Sequence, residues 1–212
     1  DGARQGPPAF FDLMNADKAA LSIDFENGPD RQRFESLLNG ADVVIESARA
    51  RGLEQFGYRS EDWLAGDAGR LWVSITGYGR DTDAIGFGDD AGAAAGLSWS
   101  PLEDEKEALF CGDAIADPIT GVHAALVTLA RSHSGQGGLL DLSLSDAAAY
   151  AANAPHESLT LPIERLEDDF VVVDRDQAIR VAPARARTGR GIAPEAVRLD
   201  DSHLAEWRSA PC

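Results

Sequence analysis

Short apolar runs alternate with helical patterns over the first two thirds of the chain. Strands are predicted where apolar side chains alternate or run continuously, at residues 19–25, 43–45, 71–75 and 139–144. Helices are predicted at residues 30–39, 60–64, 90–97, 118–132 and 146–153. Because strands and helices alternate along the chain, we expect an α/β fold, with a parallel, Rossmann-like sheet and flanking helices.

Two of these strands and one helix have the strongest patterns. Residues 43–45 and 71–75 are continuous apolar runs, which are typical of strands buried on both faces. The helix at 118–132 has a single apolar stripe of the kind that faces a core. The stripe consists of Ile119, Val122, Ala125, Leu126 and Leu129.

The pattern weakens after residue 154. Residues 170–173 and 178–181 predict a hairpin, whereas residues 182–198 are rich in arginine and helix breakers and show no periodicity. We expect this last stretch to be an extended surface tail that ends in a helical turn at Leu204–Trp207. The sequence thus predicts an α/β domain at residues 1–154 and a C-terminal segment at 155–212, made of a short hairpin and an extended arm.

Charge and cysteine content limit the classes of partner. With 36 acidic and 19 basic residues the formal net charge is −17, which disfavours nucleic acid and anionic membranes as partners. No apolar run approaches the ~20 residues that a membrane-spanning helix needs. The two cysteines, Cys111 and Cys212, are too few for a disulfide framework, and no Cys/His pair has zinc spacing. We therefore expect a cytoplasmic protein without a metal.

The common catalytic signatures are absent from this sequence. Gly77 and Gly79 follow a predicted strand, but Thr82 stands at the third position of the dinucleotide-binding fingerprint. The sequence contains neither a phosphate-binding P-loop nor a G-x-S-x-G elbow. The four histidines lack the spacing of metal ligands, so a surface or helix-face role is the simpler interpretation for each.

Asp117 precedes Pro118 at the start of the clearest helix and has two interpretations. Asp before Pro suits a helix N-cap, where it would contribute ~1 kcal/mol. A carboxylate at a helix N-terminus also stays ionised beside the positive end of the dipole and can act as a nucleophile. The two roles are compatible, and spacing alone leaves both open.

Four ordered blocks within residues 10–150 resemble the class III CoA-transferases, also called the CaiB/BaiF family. The blocks are residues 15–25 (NADKAALSIDF), 41–58 (with ADVVIESAR and LEQFGY), 70–79 (RLWVSITGYG), and 115–147 (with IADPITG, GQG and DLSLSDA). They occur in the family's order and at nearly its spacing. The chain is therefore identified as a truncated or reduced member of that family.

The resemblance implies a reaction and a set of site residues. It makes Asp117 the nucleophile that attacks an acyl-CoA thioester, forming an aspartyl anhydride and then a thioester before CoA passes to a carboxylic acid. It also places coenzyme A at two short segments. These are Ile23, Asp24 and Phe25, and Ser47, Ala48 and Arg49.

Phe87 bears on the choice between two reactions of the family. It stands where transferases carry Tyr and the related acyl-CoA racemases carry a catalytic His. Because a phenyl ring cannot move a proton, the resemblance favours CoA transfer over racemisation. We expect Phe87 to contact coenzyme A.

The chain also departs from the family's pattern. Compared with the family's pattern, we expect the first strand and the glycine-rich lid to be missing from this sequence, so a degenerate member that binds CoA or a partner protein without catalysis is the alternative. Family members form interlocked homodimers, and we expect a homodimer here too. Apolar residues of the C-terminal arm would anchor it: Val171, Val173, Ile179 and Trp207.

Overall fold

A computed structural model of the chain describes residues 6–48, 52–98, 110–154, 163–166, 169–174, 177–180 and 191–209. The chain divides into two compact units. The small unit draws on Asp1–Ile23 and Pro155–Leu199, and the large unit on Asp24–Ala154 and Asp200–Cys212. The domain division predicted from the sequence, between residues 154 and 155, stays a prediction.

The large unit contains three parallel strands and six α-helices among its described residues. The strands are β2 (Val43–Glu46), β3 (Leu71–Thr76) and β4 (Gly138–Ser143). The helices are α2 (Gly28–Asn39), α3 (Ser60–Leu64), α4 (Gly88–Ala94), α5 (Ala116–His133), α6 (Leu144–Ala152) and α7 (Asp201–Ser209). A 3-10 helix at Glu54–Phe56 lies between β2 and α3. Each strand and helix predicted within this unit is present, with bounds shifted by a few residues.

The three strands form one sheet in the order β2-β3-β4, and both pairings are parallel. Val43 is paired with Leu71, and Leu71 is paired with Gly138, so the three strands start at the same level. The carboxyl ends of the three strands consequently lie side by side at one end of the sheet. The prediction of an α/β fold with a parallel sheet flanked by helices is confirmed.

The prediction of full burial holds for β3 and is wrong for β2. Leu71, Trp72 and Val73 in the central strand are at most 1% exposed. Ile45 in β2 is 67% exposed. The difference arises because β2 is an outer strand of this sheet, and none of the described residues covers the face of β2 on which the Ile45 side chain lies.

Helix α5 packs on the sheet through small side chains, not through its large apolar ones. Ala116, Thr120 and Ala124, spaced four residues apart, are its buried positions, and Ala124 contacts Leu71 and Val73 in the core of the unit. The predicted core stripe is therefore wrong, since Val122, Leu126 and Leu129 are each about two thirds exposed. Small residues allow the helix to approach the strands closely, and this close approach selects the buried face.

The small unit has its own helix and strands. They are α1 (Pro8–Asn15), β1 (Leu21–Ser22), β5 (Ile163–Leu166), β6 (Asp169–Asp174), β7 (Gln177–Arg180) and β8 (Val197–Arg198). Strands β5, β6 and β7 form an antiparallel sheet, which confirms the predicted hairpin and adds a third strand to it. Within the helices that the structure describes, none combines the length and apolar character needed to cross a membrane.

The first predicted strand differs most from its expectation. It shrinks from residues 19–25 to Leu21–Ser22 and pairs in parallel with β8 instead of joining the β2-β3-β4 sheet. A turn begins directly afterwards, since the Asn27 N–H donates to the Asp24 carbonyl at 3.0 Å and ends the extended run. Strand β8 lies within the stretch that the sequence predicted to be an extended tail.

Candidate active site

A cavity of about 490 Å³ opens at the carboxyl ends of the three parallel strands. Ser47 follows β2, Gly77 follows β3, and Leu144 follows β4, and all three line it. In open parallel sheets this edge is the usual place for a ligand, because the loops that follow the strands converge there. The remaining lining residues are Ala48, Gln55, Ile75, Thr76, Thr82, Asp83, Ala84, Ile85, Gly86, Phe87 and Asp117.

Asp117 lies in the first turn of α5 and lines this cavity. Helix α5 starts at Ala116, its N-cap position is Ile115, and no side chain caps it. The N-cap interpretation of Asp117 is therefore wrong, because the helix begins two residues earlier than the Asp-Pro pair predicts. The carboxylate is instead placed between the positive end of the helix dipole and the cavity.

Two effects make the Asp117 carboxylate more basic than an ordinary one. Partial burial is the larger, and the negative charge of Asp89 is the smaller; both raise the pKa of Asp117. Asp89 is held in place, since its Oδ1 accepts the N–H of Ala114 at 2.8 Å. A more basic carboxylate is also a stronger nucleophile, which suits attack on a carbonyl carbon.

The chain reaches Asp117 through a strained residue. Ala114 has a φ of +47°, in the left-handed region that disfavours residues with a Cβ. Its carbonyl accepts the Asp117 N–H at 2.9 Å. Gly88, the first residue of α4, fits directly against Ala114, and a Cβ at Gly88 would lie 2.7 Å from the Ala114 carbonyl oxygen. Close packing of α4 thus fixes the segment that presents the carboxylate.

Two loops supply most of the lining of the cavity. We define the first wall as Ser47, Ala48 and Gln55, which follow β2, and the second wall as residues 82–87, which follow β3. The second wall comes so close to the end of β3 that a Cβ on Gly77 would lie 2.9 Å from the Gly86 backbone. The absence of a Cβ on Gly77 permits this contact, whereas the absence of one on Gly86 makes room for the Tyr78 ring.

A partly buried charge cluster, which the sequence did not reveal, adjoins the two walls along the chain. The Arg80 guanidinium donates to the hydroxyl oxygens of Ser74 at 3.2 Å and Ser60 at 3.3 Å. It also forms ion pairs with Glu54 at 3.5 Å and Glu46 at 3.8 Å. We call these five residues the Arg80 cluster. Its only sequence signal was an arginine in a glycine-rich loop, which by itself predicts an exposed side chain.

The structure brings four of the predicted site residues together. Ser47, Ala48, Phe87 and Asp117 all line the cavity, although they are separated by up to 70 positions in the sequence, from 47 to 117. Arg49 lies outside the described residues. No three His, Cys, Asp or Glu side chains are grouped as metal ligands in the described part of the chain.

The predicted coenzyme A residues at 23–25 are placed differently. Ile23 belongs to the small unit, and the cavity lining does not include Asp24 or Phe25. The Phe25 ring stacks on Phe56 at a centroid distance of 4.3 Å and meets Phe34 edge-on at 5.2 Å. Its role in this structure is packing within the large unit.

Gly77→Ala tests the contact between β3 and the second wall. The added Cβ would meet Gly86 backbone atoms, which cannot rotate away as a side chain could, so we expect a loss of about 1–3 kcal/mol in the free energy of unfolding. Urea unfolding measures this loss. Gly28→Ala is the matched control, because nothing lies within 4 Å of its added Cβ. Equal stability of the two variants would contradict the close approach.

The sequence matches the family model of CoA-transferase family III over residues 1–161. Over 144 residues it is 27% identical to a subunit of succinyl-CoA:(R)-benzylsuccinate CoA-transferase from Thauera aromatica, covering 65% of this chain and 35% of that protein. It is 24% identical over 147 residues to succinyl-CoA–D-citramalate CoA-transferase from Chloroflexus aurantiacus, covering 66% of this chain and 37% of that one. The chain thus spans little more than a third of the length of these relatives.

Solved structures with the same fold agree. A CaiB/BaiF family protein from Brucella suis superposes with a TM-score of 0.64 at 22% identity, covering 78% of this chain and 50% of that one. A hypothetical protein from Mycobacterium tuberculosis gives a TM-score of 0.68 at 21% identity, covering 82% and 53%. These likenesses concern the fold, while the family model covers most of the sequence. The chain therefore belongs to CoA-transferase family III, as its motifs predicted.

Proposed function

We propose that the chain transfers coenzyme A from an acyl-CoA thioester to a carboxylic acid, with Asp117 as the nucleophile. The observation that carries the proposal is the position of Asp117, which stands in the first turn of α5 on the cavity lined by Ser47, Ala48 and Phe87. A partly buried carboxylate with a raised pKa, beside a helix N-terminus, has the properties of an activated nucleophile.

In the first half of the reaction, an Asp117 oxygen attacks the thioester carbonyl and the CoA thiolate leaves, giving a mixed anhydride. The thiolate then attacks the aspartyl carbonyl of the anhydride and releases the first carboxylate, leaving an aspartyl thioester. In the second half, the acceptor carboxylate attacks that thioester and displaces the CoA thiolate, which gives an anhydride between Asp117 and the acceptor. The thiolate then attacks the acceptor's carbonyl in this anhydride, forms the new acyl-CoA and releases the Asp117 carboxylate. No step of this reaction requires a net proton transfer. The phenyl ring of Phe87, at the position where a racemase would carry a base, is compatible with such a reaction.

Each of these attacks places negative charge on a carbonyl oxygen, which N–H donors must stabilise in a site that excludes water. Gly86 lines the cavity, and the lack of a side chain there allows a thioester to approach the backbone closely. Ser47 and Ala48 of the first wall are proposed to contact coenzyme A, continuing to Arg49. Ile23, Asp24 and Phe25 remain proposed nucleotide contacts from the resemblance alone.

Trapping with hydroxylamine tests the mechanism directly. Hydroxylamine converts an aspartyl anhydride or thioester into a hydroxamate, so incubating the chain with acyl-CoA and hydroxylamine is expected to label Asp117, as read by peptide mass spectrometry. Succinyl-CoA is the first donor to try, because the names of two relatives include it. Incubation without acyl-CoA is the control. Intact Asp117 under turnover conditions would contradict the proposal.

The alternative is a member that binds CoA or a partner protein without chemistry. It predicts that the chain binds free coenzyme A and that Asp117→Asn leaves this affinity unchanged, while no donor gives acyl exchange. Calorimetric titration together with the trapping experiment separates the two functions. The exposed thiol of Cys111 is compatible with the cytoplasmic location that we propose for either one.

A homodimer is the second part of the proposal. Val122, Leu126 and Leu129 form an apolar strip on α5 that the described residues leave two thirds exposed, which is typical of a surface covered by another protein. Of the arm residues expected to serve as anchors, Val171 is already buried within the small unit, whereas Ile179 is 52% exposed. The Trp207 side chain lies outside the described residues.

Light scattering on the intact chain and on a version ending near residue 160 tests the role of the arm. We expect a dimer for the intact chain and a weaker dimer for the shortened one. A monomer in the first measurement contradicts the dimer, and an unchanged dimer in the second contradicts the contribution of the arm. Leu126→Ser probes the α5 strip and is expected to weaken the dimer with little effect on the stability of the fold.

A further inference from the structure

We propose that Arg80 is a positioning residue that sets the separation of the two cavity walls. The inference rests on the proposed function, because it assigns coenzyme A to the space between these walls. Arg80 does not line the cavity and is not a catalytic residue. Its side chain is only 16% exposed, and it lies two positions before the second wall begins at Thr82.

The connection from Arg80 to the first wall runs through two glutamates. Glu46, the last residue of β2, precedes Ser47 and Ala48, and its Oε1 accepts the Leu53 N–H at 3.4 Å. Glu46 therefore ties together the two ends of the loop that follows β2. Glu54, the second partner of Arg80, adjoins Gln55 of the same wall.

The connection to the sheet makes the cluster rigid. Ser74 in β3 and Ser60 at the start of α3 are at most 2% exposed, and both hydroxyl oxygens accept a hydrogen bond from Arg80. The Trp72 indole N–H donates to Glu46 Oε2 at 3.2 Å, and the Arg80 backbone N–H donates to Asp141 Oδ2 at 3.3 Å. The Arg80 guanidinium thus links the loop that follows β2 to β2 and β3, and the Arg80 backbone N–H adds a link to β4.

This arrangement requires an arginine. A guanidinium presents five N–H donors in a fixed fork, whereas a lysine ammonium is a point charge on a flexible stem. A lysine at position 80 keeps the positive charge but cannot reach Ser60, Ser74 and the two glutamates together. The walls of Arg80→Lys should therefore lose their common anchor while the unit keeps its charge.

The experiment compares Arg80→Lys with Arg33→Lys in the full chain. Arg33 is a matched control, because it also binds two carboxylates, those of Asp30 and Asp201, and lies outside the cavity lining. Affinity for free coenzyme A is measured by calorimetry. Amide hydrogen exchange is followed in peptides that cover both walls, with Ser47, Ala48 and Gln55 for the first wall and residues 82–87 for the second, and in β4 as an internal reference.

For Arg80→Lys we expect faster exchange at both walls with unchanged exchange in β4, and an affinity for coenzyme A reduced roughly 10- to 100-fold. Arg33→Lys should match the wild type in both measurements. Should Arg80→Lys fail to fold, Glu46→Gln takes its place, since it keeps an acceptor for Trp72 but removes the charge that pairs with Arg80. The same faster exchange at both walls and the same loss of coenzyme A affinity are then expected for Glu46→Gln.

Three results would overturn the proposal: wild-type exchange at both walls in Arg80→Lys, exchange that rises equally in β4 and the walls, or unaltered coenzyme A affinity despite looser walls. The failure of the proposed function gives a different signature, since the wild type would then bind no coenzyme A. In that case the exchange data alone still decide whether Arg80 anchors both walls.

Discussion

Asp117→Asn is expected to reduce the rate of CoA transfer by roughly 10⁴-fold or more, as loss of a covalent nucleophile does in other enzymes. The amide nitrogen is a poor nucleophile for a thioester, and no anhydride can form through it. Exchange of labelled coenzyme A into an acyl-CoA measures the rate. Asp113→Asn is the control, since Asp113 precedes the same helix but does not line the cavity, and its rate should stay near that of the wild type.

The same substitution should make the protein slightly more stable at neutral pH. The folded state raises the pKa of Asp117, chiefly by burial and then by Asp89, so ionisation costs more in the folded chain than in the unfolded one. The penalty is absent while the carboxyl is protonated in both states, and it develops as the pH rises from the ordinary carboxyl pKa through the raised one.

Because Asp117 is only partly buried and its side chain stays accessible to solvent, we expect the gain in Asp117→Asn to stay below about 1 kcal/mol, or a few degrees in Tm. Thermal unfolding at pH 7 and at a pH below the ordinary carboxyl pKa should show the gain only at the higher pH. A variant that loses both activity and stability at pH 7 would indicate a structural role for Asp117.

Gly137→Ala is expected to cause the largest loss of stability of any single methyl addition considered, about 3 kcal/mol or more. A Cβ at Gly137 would lie 2.2 Å from the Ala68 carbonyl oxygen and 2.5 Å from that of Arg70. Both oxygens already accept hydrogen bonds, from Gly137 N–H at 3.1 Å and Gly138 N–H at 2.7 Å. The methyl group would break the contacts that start β4 beside β3.

Chemical unfolding of Gly137→Ala and Gly121→Ala measures this effect. Gly121 lies within α5, and its added Cβ meets nothing within 4 Å, so alanine there should stabilise the helix by about 0.5–1 kcal/mol. The two glycines belong to two motifs of the same block, residues 115–147, but are expected to shift stability in opposite directions. A Gly137→Ala variant as stable as the wild type would mean that the β3–β4 junction is looser than described.

The sequence predicted the large unit well because its signals are local. The apolar run at residues 71–75 and the turn glycines after α5 each determine their own element, and β3 and β4 are present close to the predicted bounds. The family motifs also led to Asp117, Ser47, Ala48 and Phe87, four residues that the fold gathers around one cavity.

The features that escaped prediction depend on what packs against them. In the sequence, Ala116, Thr120 and Ala124 contribute only a weak apolar signal to the pattern of α5. Their face of the helix is nevertheless the buried one, because small side chains let the helix pack closely on the sheet. Strand β8 has only Val197 and Arg198, and its pairing with Leu21 joins residues 176 positions apart. From the sequence alone, Arg80 is expected to be an exposed loop residue. Its partners Glu46, Ser60 and Ser74 come from three separate elements, β2, α3 and β3, and only the fold places them around it.

Trp72 gives this protein an intrinsic optical probe of the Arg80 cluster. Its indole is 1% exposed, donates to Glu46, and meets Trp63 edge-on at a centroid distance of 5.7 Å. Since indole emission responds to nearby charge and to neighbouring aromatic rings, displacement of Glu46 should alter the fluorescence of this pair. Stopped-flow mixing with coenzyme A, with Trp72→Phe as the reference for the signal of the other three tryptophans, therefore tests for displacement of Glu46 in real time without an attached dye.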